Sequence, residues 1–336
     1  NLIIIYIIYI MITKAQVKKK IKELRPRISD KSIITYFTCV HNIGKYLTGE
    51  IYSHNIDDFE FLLDVEGVLD YFENKGFTQS TQRTKLGQII SVFEAWNALH
   101  DYEFSSVQDE YAEVLETLIM EKQHQQKIRP QQASARQAKN WMSWEEIQAL
   151  HAGLKKKLDY FGLPKEDMDY DEKSLYEDYV ILSLYVADEA NPPLRNDYAL
   201  MRVIDDSAAD DGEHNFLVND DKMRFILNDY KTKKTYGKQI IEVGEQLRPI
   251  LEDYLHYNKS GFLINDKTGN PISTNTLTQR LVKIFKAEVG KKVSTQLLRH
   301  AFITHHLPPE ERKRKELSAK MLHSPHTNME YSLYIE

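Results

Sequence analysis

From Lys122 to Asn140 the chain reads Lys-Gln-His-Gln-Gln-Lys-Ile-Arg-Pro-Gln-Gln-Ala-Ser-Ala-Arg-Gln-Ala-Lys-Asn, a polar, Gln-rich run without an apolar period. A stretch with nothing to bury cannot belong to a core, so it reads as a linker and splits the chain into two folding units. At 336 residues the chain is long enough for each unit to bury a core of its own. The expected layout is a helical domain over residues 11–121, a basic linker over 122–140 and a second domain over 141–336.

Residues 1–10 (Asn-Leu-Ile-Ile-Ile-Tyr-Ile-Ile-Tyr-Ile) are apolar but far short of the roughly 20 residues that span a bilayer. They carry no basic start and no small-residue cleavage site, which argues against a signal peptide. Met11 opens an ordinary polar sequence, so residues 1–10 are expected to be a non-native extension translated from upstream of the true start. No membrane partner is expected. Cys39 stands alone, which excludes an intramolecular disulfide and fits an intracellular compartment.

The formal charge of −6 argues mildly against a nucleic-acid partner, because Lys and Arg neutralising phosphates supply most non-specific affinity. Distribution matters more than the sum. Acid is concentrated in Asp167–Asp178 and Asp205–Glu213, whereas between Glu121 and Glu145 there are five bases, Lys127 and Arg129 among them, and no acid. That segment is suited to following a phosphate backbone.

In the first domain Ile33, Phe37, Val40, Ile43 and Leu47 recur at helical spacing, as do Leu86, Ile89, Ile90, Phe93 and Trp96. The second of these helices opens with Gln79-Ser-Thr-Gln-Arg-Thr-Lys85, either an ordinary capped start or a phosphate-binding helix N-terminus, with Thr81, Arg83 and Lys85 as its candidate DNA contacts. After the linker, Ser143 and Glu146 form a capping box, with Met142 and Ile147 as the hydrophobic staple. An apolar helix over 175–190 stops at Asn191-Pro-Pro193. Strands are expected over 215–218, 224–229 and 239–243, then helices over 245–257, 275–287 and 294–306, with a further helical stretch from Arg314. The fold class is therefore mainly α with a small antiparallel sheet.

Four islands of the second domain carry a family resemblance. Asn191-Pro-Pro-Leu-Arg195-Asn-Asp-Tyr-Ala-Leu200 resembles the first arginine box of the tyrosine recombinases and phage-type integrases. Phe225-Ile-Leu-Asn-Asp-Tyr-Lys231-Thr-Lys-Lys-Thr-Tyr-Gly237 resembles their β-hairpin, whose lysine leaves a strand just before the turn. Ser294-Thr-Gln-Leu-Leu-Arg299-His-Ala-Phe-Ile-Thr304 is close to the second box, and His323-Ser followed by Tyr331 is similar to the third.

The resemblance covers 142–336 closely and the first domain loosely, as a core-binding DNA clamp beside an α+β catalytic domain. It implies a site-specific recombinase or integrase that cuts and rejoins double-stranded DNA through a 3′-phosphotyrosyl bond, working as a tetramer on DNA. Under it Tyr331 is the nucleophile, Arg195 and Arg299 stabilise the phosphate, Lys231 is the general acid and His323 binds a phosphate oxygen, while Gln296 can bond a phosphate oxygen or the tyrosine hydroxyl.

Attack on a phosphodiester builds charge on the non-bridging oxygens, which two planar, permanently charged guanidinium groups match, and no metal or cofactor is needed for it. The AT-rich codon flavour points to a virus or mobile element of a eukaryotic host, with the host nucleus or a viral replication site as the place of action.

Several positions depart from the family pattern. Gln296 stands where a histidine is usual and cannot take a proton. The acid usually three residues after the first arginine is replaced by Tyr198, with Asp197 one position early. Tyr334 competes with Tyr331, and Lys233 and Lys234 compete with Lys231. Two other readings stay open: a degenerate, binding-only protein, and an enzyme of the type IB topoisomerase kind. The run of Asp205, Asp206, Asp210, Asp211 and Glu213 reads as a solvated turn and not a two-metal site. His305, His306, His323 and His326 lack the cysteine partner and regular spacing of a zinc site.

Overall fold

The structure, a computed structural model, describes residues 12–49, 59–128 and 133–306. These fall into two compact units, one on each side of the gap at 129–132. The fold is mainly α with one small sheet.

The first unit is built from α1 (Lys14–Leu24), α2 (Asp30–Thr48), α3 (Val65–Asn74), α4 (Gln79–Ala98) and α5 (Ser105–Ile128). Side-chain caps start four of them: Thr13, Ser29, Asp64 and Thr78 each accept a bond from an otherwise unpaired N–H of the first turn. Helix α4 is central, packing on α1, α2 and α5, and its Leu86, Ile89, Val92, Phe93 and Trp96 are buried against Ile33, Phe37, Val40 and Ile43 of α2. Full burial of each such side chain stabilises the unit by about 1.5–3 kcal/mol before entropy is counted. Tyr111 of α5 is fully buried and donates to the Leu62 carbonyl at 2.8 Å, a bond that offsets the desolvation of its hydroxyl.

The second unit contains α6 (Ala135–Asn140), α7 (Trp144–Phe161), α8 (Tyr170–Val186), β1 (Arg202–Ile204), β2 (Phe216–Val218), β3 (Arg224–Leu227), α9 (Lys233–Tyr236), β4 (Gln239–Glu242), α10 (Arg248–Tyr257), α11 (Thr274–Val289) and α12 (Thr295–His306). Ser143 and Glu146 form the anticipated capping box at the start of α7. Helix α8 is buried all round from Tyr179 to Val186, with α7, α10 and α11 packed on it, which is why its sequence is nearly continuous in apolar residues. Its capped start at Asp169 and the Asp188 turn bound it to 170–186: the Asp188 carboxylate accepts from the Ala190 and Gln246 amides at 2.9 and 2.8 Å, closing the helix short of residue 190. Gly244 passes so close to that carboxylate that a Cβ there would lie 2.2 Å from Asp188 Oδ2.

Three expectations need correction. The sheet is mixed, not antiparallel: β2, β3 and β4 form an antiparallel meander, but β1 pairs with β2 in parallel, Arg202 opposite Phe216. The acidic stretch 205–213 is the crossover that permits this, since it returns the chain to the start of the sheet before β2 begins. The connection between β3 and β4 is more than a turn, for it holds the short helix α9. The segment read as a linker is helical at both ends, because α5 runs on to Ile128 and α6 occupies 135–140. Gln, Lys, Arg and Ala are good helix formers whether or not they bury anything. The helical stretch expected from Arg314 lies outside the described residues, as do residues 1–10. Among the described residues no helix is long and apolar enough to cross a membrane.

Candidate functional site

Arg195 sits in the irregular segment between α8 and β1. The segment is held from behind by aromatic packing: Tyr198 is fully buried and meets Tyr185 and Phe225 edge to face, at 5.3 and 5.2 Å between ring centres. The Tyr185 hydroxyl donates to the Arg195 carbonyl at 3.1 Å. Buried Asn191 fixes the start of the segment to the end of β4, donating to the Glu242 carbonyl at 2.8 Å and accepting from the Gly244 amide at 2.6 Å. Arg195 and Asp197 are left half-buried at its surface.

Arg299 lies in the middle of α12, whose Leu298 and Ala301 face the core and whose Phe302 packs edge to face on Trp144 at 5.1 Å. This places Arg299 half-buried, with Gln296 one turn earlier and exposed, and with His300 exposed beside it. The charges of both arginines act on Asp197. Burial pushes its carboxyl above the ordinary range, the Arg195 backbone bond and the Arg195 and Arg299 charges pull against that, and Asp229 adds to the rise. Asp197 therefore lies within the electrostatic reach of both guanidinium groups and of a second carboxylate. The sequence marked Asp197 only as an acid one position early, and gave Asp229 no role.

Lys231 is exposed, four residues past the end of β3 and two before α9. Its loop is closed at the base by the Tyr230 hydroxyl donating to the Gly237 carbonyl at 2.7 Å. Gly237 has φ +66° and ψ −161°, a conformation open essentially to glycine alone. Lys233 and Lys234 are exposed on α9 in the same loop. The loop that carries Lys231 and the segment that carries Arg195 share one buried side chain. Asn215 donates through Nδ2 to the Asp197 and Asp229 carbonyls at 3.2 and 2.9 Å, and its Oδ1 accepts from the Asn228 and Asp229 amides at 2.9 and 2.8 Å.

The acidic crossover is exposed at Asp205, Asp206, Asp211 and Glu213, as expected, and half-buried at Asp210. Asp210 accepts from Asn228 Nδ2 at 2.6 Å and from Lys238, so it braces the β3 end against the far side of the hairpin. Asp211 accepts from the Glu213 and His214 amides and is ion-paired with Arg202 at 3.3 Å. These carboxylates are engaged with the chain itself rather than grouped for cations.

Among the described residues one group has metal-ligand types together, Glu189, His305 and His306, all exposed. His305 also pairs with Glu145 at 3.0 Å, and His306 stands 3.9 Å from Glu189. A cavity of about 760 Å³ lies among α8, α11 and the segment joining α10 to α11, lined in part by Lys173, Lys267, Arg280 and Lys283. None of Arg195, Lys231 and Arg299 lines it.

In the first unit, Thr78 caps α4 by accepting from the Thr81 amide at 3.3 Å. Thr81 and Lys85 line a polar cleft of about 370 Å³ with Thr35, Thr38 and Asn42 of α2. Lys85 is drawn inward: its Nζ lies 3.9 Å from Cys39 Sγ and 4.7 Å from the centre of the Phe77 ring. Arg83 is half-buried. Lys127 belongs to the last turn of α5, but its side chain lies outside the described residues, as do Arg129, His323, Tyr331 and Tyr334.

No family model and no curated protein matches the chain. Solved structures do. The chain is similar to a XerA recombinase over 96% of its own length and 94% of that chain, with 13% identity and a TM-score of 0.31. It is similar to a lambda integrase dimer bound to a COC′ core site over 96% of its length and 79% of that chain, with 12% identity and a TM-score of 0.42. A second lambda integrase structure on the same core site gives 13% identity, 96% and 98% coverage, and a TM-score of 0.42.

Proposed function

We propose that this chain is a DNA strand transferase that cleaves and rejoins duplex DNA through a covalent phosphotyrosyl intermediate. The observation that carries the reading is that the charges of Arg195 and Arg299, distant in the chain, both act on the carboxylate of Asp197. Two fixed guanidinium groups presented together at a protein surface form a site for a phosphate and for the charge that gathers on it in the transition state.

In this reaction the phenol oxygen of Tyr331 attacks the phosphorus as its proton passes to solvent, the bond from phosphorus to the 5′ oxygen breaks, and Lys231 donates a proton to the departing oxygen. A 5′ hydroxyl from another strand then attacks the phosphotyrosine, returns the phenol and restores the phosphodiester. Arg195 and Arg299 hold the non-bridging oxygens throughout, and His323 adds a further bond to them. Asp197 is suited to holding the guanidinium groups in place before DNA arrives.

The polar cleft that includes Thr81 and Lys85, the half-buried Arg83 and the basic stretch with Lys127 and Arg129 supply sequence-independent contacts to the backbone. Exchange between two duplexes needs four cuts, so the working assembly is a tetramer on DNA. A virus or mobile element acting in a host nucleus or viral replication site suits such chemistry.

A binding-only protein is the second reading, and Gln296 favours it: this exposed amide cannot serve as a base. A nicked suicide substrate separates the two. Wild-type protein is expected to form a covalent adduct whose peptide maps to Tyr331, retained in Tyr334→Phe and lost in Tyr331→Phe; mapping to Tyr334 would reassign the nucleophile. A gel shift without any adduct would establish the binding-only reading. Supercoil relaxation with no site preference would point to a topoisomerase.

A further inference from the structure

We infer that Asn215 is a positioning residue that sets the Lys231 loop against the Arg195 segment, so that proton delivery and phosphate binding are aligned by one buried amide. The inference rests on the DNA-cleavage reading above and adds to it a residue that touches neither DNA nor the reacting atoms.

Asn215 is 8% exposed and sits at the start of β2, between the two loops it joins. Its side-chain amide makes four hydrogen bonds, two donated and two accepted, which is the full capacity of the group's two N–H bonds and one carbonyl oxygen. One donated bond goes to Asp197, two residues beyond Arg195. The other three go to Asn228 and Asp229, the last of these two residues before Lys231. Its own carbonyl accepts from the Arg202 amide at 2.9 Å, which ties the same residue to β1.

The stem of the Lys231 loop therefore has two clamps. Asn215 holds it on the sheet side, and the bond from the Tyr230 hydroxyl to the Gly237 carbonyl holds it on the loop side. Asn215 divides its bonds between the two segments whose tips carry the charged groups of the proposed reaction.

The test is a comparison of leaving groups. When the 5′ bridging oxygen at the scissile phosphate is replaced by sulfur, the departing thiolate needs no proton, so cleavage no longer depends on a placed general acid. Asn215→Asp keeps the acceptor for the two amides and removes both donors. It is expected to slow cleavage of ordinary DNA by about 30- to 100-fold, a partial loss at or below the lower end of what a general acid contributes, and to slow the sulfur substrate by no more than about threefold. Tyr230→Phe, a half-exposed change that leaves the core intact, serves as the second variant and is expected to show the same selectivity in smaller degree. In a Lys231→Ala background neither change should add a further loss. Equal slowing of both substrates, or additive losses in that background, would overturn the inference while leaving the cleavage reading in place. A wild-type protein that attacks neither substrate would overturn the cleavage reading, and the inference with it.

Discussion

His151 gives the second unit a pH dependence whose size can be worked out in advance. It lies on α7, its ring stacked on Tyr179 of α8 at 4.9 Å between centres, with Nε2 2.7 Å from the Ser183 hydroxyl. Burial lowers its pKa from the ordinary 6.5 to about 4. In the folded protein the ring thus stays neutral where an unfolded chain would already bind a proton. Above about pH 6.5 both states are neutral and the fold has its full stability. As the pH falls below that, the unfolded chain is protonated first and stability is lost, until near pH 4 the folded ring titrates too and the loss levels off. At about 1.4 kcal/mol per decade of proton affinity, the interval corresponds to about 3 kcal/mol. Other groups titrate over the same range, so the measurement is a difference: urea unfolding of wild type and of His151→Gln, which keeps a polar partner for Ser183 and does not ionise, at steps from pH 7.5 to 4. Wild type should lose about 3 kcal/mol relative to the variant, all of it between pH 6.5 and 4. Curves that run parallel over that interval would refute the reasoning.

Two further changes probe other parts of the molecule. Arg280, on α11, is mostly buried and bonds to both Glu177 and Asp178 of α8 at 2.8 Å; Arg280→Met should cost about 3–5 kcal/mol in urea unfolding by stranding two carboxylates, with part of the loss recovered at low pH, and a loss under about 1 kcal/mol would refute that. Lys85→Gln should lower the slope of log affinity for duplex DNA against log salt by about one; anisotropy titrations showing an unchanged slope would remove Lys85 from the phosphate contacts and leave it as a packing group over Phe77.

The helices were legible in the sequence because their apolar residues repeat at a period that only a helix turns to one side. The stripes in α2 and α4 and the Ser143 capping box are visible without coordinates, and the buried second half of α8 announces itself by a nearly continuous apolar run. What escaped notice obeys no period. Strand β1 has three residues, too few for an alternation to be recognised, and its parallel pairing depends on a crossover whose acid content suggested only solvent. The end of α5 and the whole of α6 are polar helices, and the absence of a buried face was mistaken for the absence of a helix. In the candidate site, Arg195, Arg299 and Lys231 were found as isolated islands, but their connection was not. It runs through Asp197, Asp229 and Asn215, a relation fixed by three-dimensional proximity and carried by residue types common in any surface turn.

The aromatic column behind the first arginine also bears on control. Tyr185, Tyr198 and Phe225 tie the Arg195 segment to α8 on one side and to β3 on the other, with the Tyr185 hydroxyl fastened to the arginine's own carbonyl. A group anchored in this way cannot be withdrawn without unpacking the domain's centre. Under the proposed reaction, control of the site would then act through groups other than the Arg195 backbone, with the exposed Lys231 the nearest candidate, while the segment that carries Arg195 keeps its place.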